Sequence, residues 1–208
     1  MIAVKKCIIP SLLCLGLVLG AASLSGAAEK TCIDCHKKVI SKRAIHAAIS
    51  QYVRMEQGCA SCHREPHEKK KGSLALVSPV PDLCFMCHDK ANFSKSHVHA
   101  PVAGGDCLSC HDPHASDAAS LLTQQLPFLC QTCHPDKTDG KHILGKYGFG
   151  DNHPIQGRID PSRKGKELSC VSCHDPHSSG KKYHFVNDTA NSPANLCLVC
   201  HTRVTVRP

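Results

Sequence analysis

The pattern of hydrophobic and polar residues predicts few regular elements along most of this chain. Ile45, Ile49 and Val53 recur at four-residue spacing. This spacing predicts a short helix over residues 41–57 that carries His46. Elsewhere Pro, Gly, Asp and Ser recur every few residues, which favours loops and single turns, and no strand pattern stands out. We therefore expect a fold with little regular secondary structure, made of a few short α-helices and many loops.

The N-terminal segment has the pattern of an export signal. A short basic stretch precedes an apolar run over residues 7–24, and small residues follow it up to Ala28. We therefore expect residues 1–28 to be a signal peptide, and the protein to reside in the periplasm, at the cell surface or outside the cell. An uncleaved membrane anchor is the alternative, although Pro10 lies in the run and the run barely reaches the length of a membrane span.

Composition argues against an ordinary hydrophobic core. The 208 residues include 16 Cys and 16 His, but no Trp, 3 Tyr and 5 Phe. Large aromatic side chains normally dominate core burial, and here they are almost absent. A high cysteine content alone suggests a disulfide framework. The equal number of histidines instead favours a metal or haem protein, in which a cofactor fills much of the interior.

One motif accounts for every cysteine of the mature chain. Removing Cys7 and Cys14 with the signal from the 16 cysteines leaves 14, and all of these belong to seven copies of Cys-x-x-Cys-His. In chain order the copies are motif 1 (Cys32, Cys35, His36), motif 2 (Cys59, Cys62, His63), motif 3 (Cys84, Cys87, His88), motif 4 (Cys107, Cys110, His111), motif 5 (Cys130, Cys133, His134), motif 6 (Cys170, Cys173, His174) and motif 7 (Cys197, Cys200, His201).

The spacing of this motif suits covalent haem attachment. Two thiols three positions apart reach the two vinyl groups of one haem, and the histidine that follows is the proximal ligand of the iron. A redox dithiol or a zinc site needs no histidine fixed after the second cysteine. The sequence therefore predicts seven covalently bound haem c groups. With roughly 26 residues for each motif, we expect stacked haems to form the core.

The chain resembles multihaem c-type cytochromes with doubled Cys-x-x-Cys-His modules. In such a module the first motif is followed by x-Pro-His, a loop, and then Leu-Cys-x-x-Cys-His. Three stretches match this pattern, and they contain Pro66-His67, Pro113-His114 and Pro176-His177. The domain organisation that we predict is a signal peptide (1–28), a single-haem segment (29–58), two doubled modules (59–134), a ligand loop or hinge (135–169) and a third doubled module (170–208).

The remaining histidines are candidates for the distal iron ligands. Seven of the 16 histidines follow a motif cysteine, and nine remain; Met55 and Met86 are the other candidate ligands of the mature chain. Met86 lies inside a motif, so we expect histidine on both sides of every iron, and hence low potentials. The predicted distal ligands are His46, His67, His99, His114, His142, His153 and His177. His97 and His184 are rivals of His142 for the seventh place.

Local geometry predicts that modules share ligands. His111 and His114 are three residues apart with Pro113 between them, so they cannot easily approach one iron from opposite faces. We therefore expect His114 to ligate a neighbouring haem. The same argument applies to His67 and His177, and such sharing brings adjacent haems close together.

Charge gives no reason to expect a nucleic-acid partner. The formal net charge is +8, which becomes +6 when Lys5 and Lys6 leave with the signal. Each oxidised haem c adds about one negative charge through its propionates, so seven haems bring the protein near neutrality. The basic excess is better explained as neutralising propionates.

Three classes of function fit this sequence. The resemblance implies an electron carrier of anaerobic respiration, without enzymatic activity of its own. It would work between a membrane or periplasmic donor, such as a quinol-oxidising complex, and a downstream acceptor or outer-membrane conduit. The alternatives are a multihaem reductase with one open haem, and a subunit that self-assembles into an extracellular haem filament. The Cys-x-x-Cys-Lys motif of the nitrite reductase family is absent, which favours the carrier.

Overall fold

Short helices and two-residue strands provide the regular structure in a computed structural model of the chain. The model describes residues 31–50, 57–64, 75–144, 153–186 and 193–201, all within one compact unit, Thr31–Pro208. The predicted signal peptide and His67 lie outside these residues. No helix within the described ranges is long and apolar enough to cross a membrane.

The α-helices are single turns that begin or end at the haem motifs or at candidate ligands. Their bounds are α1 Cys32–Cys35, α2 Ala47–Ser50, α3 Gln57–Ala60, α4 Asp82–Phe85, α5 Ala100–Ala103, α6 Phe128–Gln131, α7 Lys141–Leu144 and α8 Pro193–Cys197. Turns of 3₁₀-helix span Lys37–Ile40, Lys90–Phe93, Cys107–Ser109, Ala119–Leu121, Pro135–Lys137, Cys170–Ser172 and Lys182–His184. The predicted fold class, few short helices among many loops, is confirmed.

Two antiparallel strand pairs join distant parts of the chain. Strand β1 (Ala44–Ile45) pairs with β3 (Ala115–Ser116), and β2 (His97–Val98) pairs with β4 (Ser178–Ser179). In each pair, the first strand directly precedes a candidate distal histidine and the second directly follows an x-Pro-His sequence. Each pair therefore holds two candidate ligands side by side.

The helix expected over residues 41–57 is wrong in its first part. Residues 44–45 form β1, and α2 begins only at Ala47. His46 lies at the junction, where its carbonyl accepts hydrogen bonds from the N–H groups of Ile49 and Ser50. The backbone before His46 is extended because it pairs with β3, a tertiary contact that overrides the helical spacing of the isoleucines.

The buried apolar side chains of the described ranges are few and small. They are Ala115, Ala118 and Leu129, while Ser116, Ser178, Ser179, Ser172 and Asp160 are buried polar residues. Side chains of this size bury too little surface to hold a chain of this length together. The described ranges thus contain little apolar core, in keeping with the low aromatic content of the chain.

Candidate haem-attachment and ligand sites

All seven Cys-x-x-Cys-His motifs adopt the same local conformation. In each, the backbone N–H of the histidine donates to the carbonyl of the first cysteine, over 2.9–3.0 Å. This bond closes one helical turn, and residues three apart on such a turn are neighbours. The two cysteine side chains therefore lie on one side of the turn, with the histidine directly after them.

The motif cysteines are available for attachment. None of the fourteen forms a disulfide bond, although several lie side by side. No group of three or more His, Cys, Asp or Glu side chains in the described part of the chain is placed to hold a bare metal ion. Paired thiols with one following histidine suit a metal that already has four other donors, as iron has in haem.

Five of the motif histidines face a candidate distal histidine. Two imidazoles on opposite sides of one metal, each with its nitrogen about 2 Å from it, have ring centres roughly 6 Å apart. The paired rings lie at this distance: His63 and His114 at 6.0 Å, His111 and His177 at 5.9 Å, His46 and His88 at 6.2 Å, His99 and His134 at 6.3 Å, and His153 and His201 at 6.3 Å. The rings of the first pair are nearly parallel, 8° apart.

His142, one of the three candidates for the seventh distal place, lies near His174, a motif histidine that is not part of these five pairs. Burial, then the charge of His174, lower the pKa of His142, so the two side chains are close in space. His184 also lies close to His174, whose pKa it lowers, and its ring centre is 5.8 Å from that of His99, at 74°. His97 is exposed on β2.

Backbone carbonyls orient several of these imidazoles. The Nδ1 atoms of His111, His174 and His153 lie 3.0 Å from the carbonyl of Ser120, 2.6 Å from that of Tyr183 and 2.8 Å from that of Pro154, respectively. A carbonyl only accepts, so Nδ1 carries the proton in each case. The lone pair is then on Nε2, which leaves this nitrogen free to bind a metal.

Burial favours the neutral form of five of these rings. It is the largest cause that lowers the pKa of His46, His63, His99, His174 and His177, and neighbouring histidines lower it further. In His177 the carboxylate of Asp175 partly opposes this effect. A histidine must be deprotonated to bind a metal, so the local environment favours the ligating form.

A lysine and an aspartate fix each strand-paired ligand site. Asp112 Oδ1 accepts from the His114 backbone N–H over 2.9 Å, while its Oδ2 lies 2.9 Å from Lys42 Nζ. The carbonyl of His114 in turn accepts from His46 N–H over 2.9 Å. Burial alone would raise the pKa of Asp112, but the His114 N–H and Lys42 outweigh it and lower the pKa.

A second set of residues repeats this arrangement. Asp175 Oδ1 accepts from His177 N–H over 2.9 Å, Lys95 lies 3.9 Å from Asp175, and His99 N–H donates to the His177 carbonyl over 3.0 Å. The sequence reasoning missed these lysines and aspartates. The signal was present, because a lysine stands four residues before each of His46 and His99.

The motif sulfurs of successive motifs lie close together. Thiols hydrogen-bond between motifs 1 and 2, between motifs 3 and 4, and between motifs 5 and 6; these pairs are Cys32 with Cys59, Cys84 with Cys107, and Cys130 with Cys170. In the other successive motifs, a cysteine of one motif raises the pKa of a cysteine of the adjacent motif by repulsion between thiolates. These pairs are Cys62 with Cys87, Cys110 with Cys130, and Cys173 with Cys200. The attachment points thus follow one another in chain order.

Comparison with known proteins agrees with this geometry. The family described as doubled CXXCH motif matches residues 53–93, 99–139 and 160–205. The chain is 30% identical over 191 residues to the multiheme cytochrome MtrA of Shewanella baltica, covering 82% of this chain and 52% of MtrA. It is 27% identical over 104 residues to the acrylate reductase cytochrome subunit of Shewanella woodyi, covering 50% of this chain and 69% of that subunit.

The family match extends over more than half of the chain, while the chain spans only about half the length of MtrA. The predicted resemblance to multihaem cytochromes with doubled modules is therefore confirmed. The chain belongs to the doubled CXXCH motif family and is a multihaem c-type cytochrome with covalently bound haem c.

Proposed function

We propose that this cytochrome carries seven haem c groups, each held by two cysteines and two histidines, and that it acts as an electron carrier without catalytic activity. The observation that carries the proposal is the set of five histidine pairs with ring centres 5.9–6.3 Å apart. Each pair joins one motif histidine to one predicted distal histidine from another part of the chain.

The complete ligand assignment follows from these pairs. The proximal and distal ligands are His63 with His114, His88 with His46, His111 with His177, His134 with His99, His174 with His142, and His201 with His153. His36 is assigned His67, the remaining member of the predicted distal set, which lies outside the described residues. In this assignment every x-Pro-His histidine serves an earlier motif rather than its own.

Haem iron supplies one-electron chemistry between its ferric and ferrous states. In this chain the haem-attachment sites would follow one another in a single series, because sulfurs of successive motifs lie in contact or close to each other from motif 1 to motif 7. Electrons would therefore enter and leave at the two ends, at motifs 1 and 7. Contacts between haem methyl groups of consecutive motifs in nuclear magnetic resonance spectra would test this order, and a contact that skips a motif would contradict it.

The first experiment is the mass of the denatured holoprotein, which counts covalent haems. We expect seven; a smaller number contradicts the proposal. Carbon monoxide added to the dithionite-reduced protein then tests the ligand pairs, because carbon monoxide binds only an iron with an open or labile position. An unchanged Soret band supports the carrier, and a change in about one haem of seven favours a reductase.

Its partners and location follow from the carrier function. We propose that the chain is exported to the periplasm or cell surface and exchanges electrons with redox proteins, including a membrane quinol-oxidising complex or an outer-membrane conduit. One of its relatives is, by name, the cytochrome subunit of an acrylate reductase, which supports work beside an enzyme. An N-terminal sequence beginning near Glu29 would support export with cleavage, and a large assembly in solution would favour the filament.

A further inference from the structure

The segment between motifs 5 and 6 contains a small folded unit that the proposed function does not use. Residues 157–169 form a hairpin, in which Ile159 bridges Glu167 and Leu168 N–H donates to the Arg158 carbonyl over 2.7 Å. Gly157 and Gly165 have positive φ angles of 69° and 71°, a conformation that glycine adopts at little cost. This hairpin leads directly into motif 6.

An ion pair with a buried carboxylate lies at the centre of this hairpin. The side chain of Asp160 is 0% exposed, and its Oδ2 lies 2.6 Å from Arg163 Nε. Its Oδ1 accepts from both the backbone N–H of Ser162, over 2.8 Å, and the Ser162 hydroxyl, over 2.6 Å. A buried carboxylate is costly unless it is paired and hydrogen-bonded, and here both conditions are met.

The other side of Arg163 reaches into motif 6. Its guanidinium donates to the Ser172 hydroxyl over 2.7 Å, to the Ser169 hydroxyl over 3.3 Å and to the Glu167 carbonyl over 3.2 Å. Ser172 is the residue between Val171 and Cys173, inside the motif itself. It is only 8% exposed, so a charged group from outside the motif fixes the turn that carries both cysteines.

Motif 4 shows what a motif looks like without this contact. Its corresponding serine, Ser109, is exposed. Its N–H donates to Asp106 Oδ1 over 3.2 Å and its hydroxyl donates to the Asp106 carbonyl over 3.0 Å. Both bonds are local and exposed to solvent. The same turn therefore forms at motif 4 without an ion pair, so the contact of Arg163 with motif 6 is an addition to the turn rather than a requirement for it.

The ion pair lies beside an attachment cysteine. Arg163 donates to the hydroxyl of Ser172 over 2.7 Å, and Ser172 directly precedes Cys173. In the holoprotein the sulfur of Cys173 would be bonded to the haem of motif 6. Charges held against the residue next to this cysteine are close enough to act on the equilibrium between ferric and ferrous iron.

We propose that Asp160 and Arg163 form a positioning pair that fixes motif 6 and sets the reduction potential of the haem attached there. The inference rests on the proposed function, since it needs a haem at motif 6. Asp160 favours the ferric state because its negative charge stabilises the more positive iron, and Arg163 offsets this effect.

Two variants of the full holoprotein test this pair in opposite directions. In Asp160→Asn the arginine is left unopposed, so the potential of the motif 6 haem should rise. In Arg163→Gln the carboxylate is left unopposed, so the potential should fall. A redox titration followed by nuclear magnetic resonance would resolve the haem, identified through its thioether bonds to Cys170 and Cys173.

Asp106→Asn at motif 4 is the matched control, and it should leave the potential of the motif 6 haem unchanged. Shifts of the same sign in both variants, or no shift in either, would overturn the proposal, because general loosening of the fold cannot give opposite signs. Arg163→Lys keeps the charge and guards against a variant that does not fold; it should shift the potential less than Arg163→Gln. A mass with seven haems in each variant separates failure of this inference from failure of the proposed function.

Discussion

The two strand-paired ligand sites repeat one backbone arrangement, although their side chains differ at more than half of the positions. The first unit joins residues 42–46 to 111–122, and the second joins residues 95–99 to 174–185. In both, a motif histidine forms a β-bridge with the residue eleven positions later: His111 with Leu122, and His174 with Phe185. In both, two successive non-glycine residues adopt positive φ angles. The repeated backbone shows that the unit is defined by its hydrogen bonds rather than by its apolar side chains.

The two units share side chains that form hydrogen bonds with backbone groups. Ser116 and Ser179 occupy equivalent places, and each hydroxyl donates to the carbonyl of the bridged residue while accepting an N–H two residues on. Among the differences are Leu121, which His184 replaces in the second unit, and the ion pair, which is 2.9 Å long in the first unit and 3.9 Å in the second. The comparison teaches that the hydrogen-bonded frame is fixed while the surroundings vary.

The largest expected effect comes from removing one x-Pro-His histidine in each unit. His114→Ala should open the iron at motif 2, and His177→Ala should open the iron at motif 4, because these are the ring partners of His63 and His111. Each variant should then bind carbon monoxide at about one haem of seven, measured from the Soret band of the reduced protein. Wild type, with no opened iron, is the control. If the spectral change maps to the motif directly before the altered histidine, ligand sharing is wrong.

A smaller effect should follow from removing the aspartate of each unit. Asp112→Ala loses a carboxylate that accepts the His114 N–H and pairs with Lys42, which should cost about 1–2 kcal/mol of unfolding free energy. Asp175→Ala should cost less, about 1 kcal/mol, because its lysine is farther away. Guanidinium unfolding of the holoproteins measures both. Lys42→Met is the control; it removes only a partly exposed ion pair and should cost at most about 1 kcal/mol. Equal losses for the two aspartate variants would show that the distance to the lysine does not affect the stability of the unit.

Acid should erase the contribution of Asp112. Its pKa is lowered in the folded protein, so its carboxylate stabilises the fold fully above the ordinary value of about 3.9. This stabilisation is lost as the pH falls through the lowered pKa. The difference in unfolding free energy between wild type and Asp112→Asn should therefore shrink as the pH is lowered below 4. A difference that stays constant over this range would show that the carboxylate charge has no part in it.

The smallest effect should come from exchanging one residue that differs between the units, Leu121 in the first and His184 in the second. His184→Leu gives the second unit the residue of the first, and we expect a change of about 0.5 kcal/mol or less in unfolding free energy. The spectrum of the haem at motif 5 should shift slightly, because the His184 ring contacts that of His99. Leu121→His is the reciprocal variant, and its effect should be similarly small. Loss of a ligand in His184→Leu would instead mean that His184 binds iron.

The sequence predicts the local part of this site well. The motif cysteines, the fold class and the resemblance all depend on neighbouring residues, so spacing along the chain suffices to identify them. The partners of the motif histidines are another matter. Proline geometry predicts that His114 ligates a haem other than that of motif 4, but only the folded chain brings its ring to His63.

Contacts between distant segments explain what the sequence reasoning missed. The extended backbone at residues 44–45 depends on β3, which lies about seventy residues later. Lys42 and Asp112 are ordinary surface residues until that pairing brings them together. Asp160 and Arg163 lie in a stretch of Gly, Lys, Asp and Pro that is typical of a loop. Only the hairpin brings them together as an ion pair with a buried carboxylate.

The paired histidines also bear on how the chain responds to proteolysis. The five ring pairs span residues 46–88, 63–114, 99–134, 111–177 and 153–201. Each span overlaps the next, so a single backbone cut anywhere between residues 46 and 201 falls inside at least one of them. The two fragments of a nicked holoprotein would stay joined through iron, and they would separate only when the haem ligands are displaced.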